Sequence, residues 1–60
     1  MKHTDTELDT LAFDAGFEFV DLGDEWGWRA KFEVVESLHG FPNKQEAWEN
    51  LRETYPNIED

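Results

Sequence analysis

The 60-residue sequence predicts a single α+β domain spanning residues 1–60, in the order helix, two- or three-stranded antiparallel meander, helix. Three observations carry that prediction. Thr4 and Glu7 have capping-box spacing and precede apolar residues at helical intervals. Residues 26–34 alternate strictly between apolar and polar. Asn43 and Glu46 open a second helical stripe that Pro56 closes.

The first helix follows from Leu8, Leu11, Ala12 and Ala15 at i, i+3, i+4 and i+7, with Gly16 placed to end it in a left-handed conformation. Asp5, Glu7 and Asp9 fall near its start, where the helix dipole favours anions. Phe17–Leu22 is rich in strand formers, and Gly23-Asp24-Glu25 interrupts it as a hairpin turn. In the next strand Trp26, Trp28, Ala30, Phe32 and Val34 share one face, and Gly27, Arg29, Lys31 and Glu33 share the other. Arg29 and Lys31 are expected to face outward beside Glu18 or Asp21.

Register in the first hairpin is open, because Phe17 and Phe19 lie on the face opposite to Val20 and Leu22. Either a bulge separates them or the second face is also partly covered. Residues 35–41 read as a turn near Glu36-Ser37 and a short third strand ending at Phe41, stopped by Pro42. Ala47, Trp48, Leu51 and Tyr55 form the stripe of the second helix. The centre of the core is expected at Leu8, Leu11, Trp26, Trp28, Phe32, Trp48 and Leu51, and residues 1–4 and 57–60 are expected to fray.

Charge limits the function. Fifteen acids against five lysines and arginines leave a net charge of −10, and eight of the acids fall between Asp5 and Glu25 with no base among them. Disordered acidic chains are poor in aromatics; this chain is 15% aromatic, which marks a folded domain. Its surface repels nucleic acid and anionic membranes and attracts basic proteins over roughly 8–10 Å. The chain has no cysteine and no apolar run long enough to span a bilayer, and it shows no export signal, so a reducing cytoplasm is the expected location.

Candidate chemistry is thin. Ser37-x-His39 would share a strand face but has no orienting third group, so no enzyme is expected. Asp5-x-Glu7-x-Asp9 imitates the opening of a calcium loop, yet Thr10 stands where that loop needs glycine and Gly16 where it needs glutamate. No metal site or cofactor is expected. Aromatics on a sheet can stack single-stranded nucleic acid, but only beside a basic groove. The inverse is imitation of nucleic acid: alternate strand residues lie ~6.6 Å apart, close to phosphate spacing, and Asp14, Glu18, Asp21, Asp24 and Glu25 are the candidate acidic row. An exposed Phe17 or Phe19 would add an apolar contact for a partner or a second copy of the chain.

An aromatic strand followed by Gly40-Phe41-Pro42-Asn43-Lys44-Gln45-Glu46-Ala47-Trp48 and a short closing helix resembles many small reading frames of phages and plasmids. The acidity is similar to that of phage-encoded inhibitors, anti-CRISPR and other DNA-mimic proteins among them. The likeness covers the C-terminal half, and its pattern is that of a strand end, an N-cap and a helix start. It implies a non-enzymatic inhibitor that occupies a basic nucleic-acid-binding surface on a host protein such as a nuclease or CRISPR effector, and assigns no residue a role. The alternative is an acidic accessory or housekeeping domain of a salt-tolerant organism, whose charge serves solubility.

Overall fold

The computed structural model describes residues 3–37 and 39–58, and its elements are α1 (Asp5–Ala15), β1 (Phe17–Asp21), β2 (Trp26–Ala30) and α2 (Lys44–Thr54). The domain is α+β, as the sequence predicts. Thr4 caps α1 reciprocally: its hydroxyl accepts from the Glu7 amide, and Glu7 Oε1 accepts from the Thr4 amide at 2.9 Å. Gly16 ends the helix at φ 92°, a conformation that costs glycine least. Asn43 caps α2 through the Glu46 amide.

Glu7 sits well placed for a pH effect. The backbone hydrogen bond from Thr4 holds its carboxyl below the usual range, aided by the Thr4 hydroxyl and the positive charge of His3 and opposed by slight desolvation. A folded-state value below the unfolded one means that the stabilisation is present above the unfolded value. It is lost as pH falls through the lowered one. In Thr4→Ala the hydroxyl's hydrogen bonds are lost and only the backbone one can remain, so the Glu7 titration followed by carboxyl NMR is expected to move upward, with α1 fraying at the N-terminus first.

β1 and β2 pair antiparallel without a bulge, from Phe17 opposite Ala30 to Asp21 opposite Trp26. Opposite residues share a face, so Phe17, Phe19, Trp26, Trp28 and Ala30 all point toward the helices. This resolves the register: the second face is covered instead of bulged. A Cβ at Gly27 would lie 3.1 Å from Leu22 Cδ1 and 3.0 Å from Ser37 Oγ, so Leu22 and Ser37 pack closely over this position and would have to shift for a larger residue.

The core consists of Leu8, Ala12, Phe17, Trp28, Ala47, Trp48 and Leu51. Trp28 is its centre. The Phe17 and Tyr55 rings meet it edge-on at 5.7 and 5.9 Å, and its indole N–H donates to Asn50 Oδ1 at 3.0 Å. Leu11 and Trp26, expected at the centre, are only partly buried; the Lys44 ammonium lies 4.6 Å from the Trp26 ring centroid. Lys44 also bonds Asp9 at 3.0 Å, tying the start of α2 to α1.

Phe32 is the larger correction. It is 85% exposed, and Val34 is fully exposed. The alternation of residues 26–34 continues past the point where the sheet can use it. β1 starts at Phe17 because the chain before it is helix, so β2 has no partner beyond Ala30, and the Lys31 amide bonds instead to the Gly16 carbonyl at 2.9 Å. The chain then reverses over residues 31–34, not near Glu36-Ser37, and the Ala30 amide bonds the Val35 carbonyl at 2.8 Å.

The returning segment makes an irregular third partner of β2, bridging at Arg29–Glu36 and Trp26–Phe41. Three steps along β2 (29 to 26) are matched by five along this segment (36 to 41), so the two fall out of step by two residues and no regular strand forms among the described residues. Leu38, within the expected third strand, lies outside the described residues. The His3 amide bonds Gln45 Oε1, Thr4 caps α1, and Ile58 packs on the core. Residues 1, 2, 59 and 60 lie outside the described part. No helix among the described residues is long and apolar enough to cross a membrane.

Candidate functional site

The densest acidic feature is the β1–β2 hairpin tip. Asp21 ends β1, its Oδ1 accepts from the Gly23 amide at 2.8 Å, and the Leu22 amide bonds the Glu25 carbonyl at 2.9 Å. This closes the turn tightly and displays Asp24 and Glu25, both exposed, on its surface. Neither carboxylate has an ion-pair partner among the described residues. Glu25 also packs against Gly40, where a Cβ would come within 2.7 Å of Glu25 Cβ, so the bulged segment braces the tip from the far side.

The remaining acids of the expected row lie elsewhere. Glu18 and Asp21 are three apart on one strand and therefore emerge on opposite faces. A continuous row along one strand face breaks between them. Glu18, one of the two partners expected beside Arg29, pairs with it across the ladder. Asp14 is in the last turn of α1, beyond the other end of β1, about 13 Å from Asp21 or more at ~3.3 Å per strand residue. It lines an open groove of about 680 Å³ with Leu11, Ala15, Tyr55 and Ile58.

Phe17 and Phe19, the expected apolar contact, point inward. Phe17 is 8% exposed and packs on Trp28 and Tyr55, while Phe19 packs against the core. Neither offers an exposed patch. No family model, curated protein or solved structure matches the chain.

Three of the five bases are engaged by neighbours within the domain. Arg29 pairs with Glu18 and Lys44 with Asp9, and the Lys31 ammonium lies 3.1 Å from the Phe13 ring centroid, so it does not reach the outer strand face expected for it beside Arg29. Ser37 and His39 are likewise engaged with backbone. Ser37 Oγ accepts from the Trp28 amide at 3.3 Å, and His39 Nδ1 is 3.0 Å from the Gly40 carbonyl, with its ring against Phe41. They are not bonded to each other. Asp5, Glu7 and Asp9 lie on α1, not in a loop, and no group of three His, Asp or Glu among the described residues is placed to hold a metal ion.

Proposed function

We propose that this domain is a non-enzymatic binding protein whose acidic surface occupies a basic, nucleic-acid-binding surface of a host protein, with a nuclease or CRISPR effector as the type of target. The observation that carries this reading is the internal use of Arg29, Lys31 and Lys44. Their charges are turned to Glu18, Phe13 and Asp9, and the exposed Asp14, Asp21, Asp24 and Glu25 contribute to a negative outward field. Such a field speeds encounter with a basic partner and repels nucleic acid. The domain acts in a reducing cytoplasm and needs no cofactor.

The test is capture of partners from host lysate on the immobilised chain at low salt, with DNA or RNA added as competitor. One basic protein should be retained saturably and released by nucleic acid. A partner whose binding is indifferent to both salt and nucleic acid would refute occupation of a nucleic-acid site.

One observation favours a second reading, an acidic domain whose charge serves solubility. Exposed acids also cover the outer side of α2, at Glu46, Glu49 and Glu53, so the negative charge is not confined to the hairpin tip. On that reading the isolated chain gains thermal stability as salt screens its self-repulsion, and no saturable partner is found at any salt.

A further inference from the structure

We propose that the groove between the C-terminal ends of α1 and α2 is a binding site for a small organic cation, an ammonium group carried on an aromatic or aliphatic body. The site is at the end of the sheet away from the hairpin tip and does not depend on the protein partner proposed above.

Three stretches of chain build the groove. Leu11, Asp14 and Ala15 belong to the last turns of α1, Phe17 opens β1, and residues 54–58 continue from the last residue of α2. They border a volume of about 680 Å³, within the roughly 300–1,000 Å³ of small-molecule sites. The Phe17 and Tyr55 rings, with centroids 5.1 Å apart, give it an aromatic wall, and Leu11, Ala15 and Ile58 give it an aliphatic one. Rings and charge are gathered in one cavity of this size, so the occupant is a free small molecule and not an extended segment of a protein.

Charge selects a cation. Asp14 is the only charged side chain lining the groove among the described residues; it is exposed and has no ion-pair partner among them. Both helices also end here, and a helix C-terminus carries partial negative charge on its last carbonyls. The last turn of α1 holds no base to offset it. Arg52, in the last turn of α2, and Lys31, whose ammonium lies on the Phe13 ring, are not among the residues that line the groove. An anion therefore meets repulsion, and a neutral ligand leaves these charges unused. An ammonium gains the Asp14 carboxylate, two helix ends and the electron-rich faces of aromatic rings.

The test follows NMR shifts of the full chain with three probes of one skeleton, phenethylamine, phenethyl alcohol and phenylacetate. The amine should bind saturably, with shifts centred on residues 11–17 and 54–58. It should bind roughly tenfold tighter than the alcohol or better, and phenylacetate should not bind. Asp14→Asn should cut the preference for amine over alcohol severalfold and leave the melt unmoved, since the residue is exposed. Asp24→Lys/Glu25→Lys should keep the preference, which separates a local site from attraction to the acidic surface as a whole and from the fate of the hairpin-tip reading. Equal affinity of amine and alcohol, shifts spread over the acids in place of the groove, a preference unchanged in Asp14→Asn, or no saturable binding of the amine would overturn the proposal. So would self-association whose shifts map to residues 11–17 and 54–58, because a second copy would then fill the groove.

Discussion

Trp28→Ala is expected to abolish the cooperative melt of this domain. Trp28 is 3% exposed, is flanked edge-on by Phe17 and Tyr55, and bonds Asn50 through its indole N–H. Truncating a buried tryptophan to alanine costs about 3–5 kcal/mol, and a chain of this length holds roughly 3–9 kcal/mol in all. The loss is compounded by Asn50, whose side chain is left partly buried without its donor. Trp28→Phe keeps a ring against Phe17 and Tyr55 and should retain a transition at lower temperature. A Trp28→Ala protein that melts within a few degrees of the parent would show that the core lies elsewhere.

Reversal of the hairpin-tip charges is expected to weaken partner binding at least tenfold and leave folding intact. Asp21→Lys/Asp24→Lys replaces attraction by repulsion where close charge pairs at an interface couple by ~1.5–7 kcal/mol. Both residues are exposed, and exposed charges contribute little to folding. Asp21 alone has a local duty, accepting the Gly23 amide, so Asp24→Lys with Glu25→Lys serves as the control that spares that bond. If the partner captured from lysate binds both double variants as tightly as the parent at low salt, the hairpin tip is not its site.

The elements of the fold were legible because each rests on local chemistry. Thr4 with Glu7, Gly16, and Asn43 with Glu46 act within a few residues of where they stand, and the caps form as their spacing predicts. The Arg29–Glu18 pair was legible too, since hairpin pairing sets such neighbours once the turn is placed. The candidate site was legible only as composition. A list of acids does not say which face each occupies, and strand parity separates Glu18 from Asp21.

Phe32, Val34 and Phe17 show where local pattern stops. Alternation marks which side chains share a face, but burial needs something opposite that face. For Phe17 it is Trp28 and Tyr55, the latter 38 positions away in the chain; for Phe32 there is no paired strand opposite, because β1 cannot extend through a helix that ends at Ala15. The exposure of Phe32 and Val34 had a trace in the sequence, in that Gly16 limits the length of the ladder, yet that trace becomes visible only with the register from Phe17–Ala30 to Asp21–Trp26 in hand. Residue order alone thus accounts for helix ends, turn chemistry and net charge, which depend on neighbours in the chain. Pairing length, burial and the sorting of acids to faces depend on contacts between distant segments, and the folded geometry settles them.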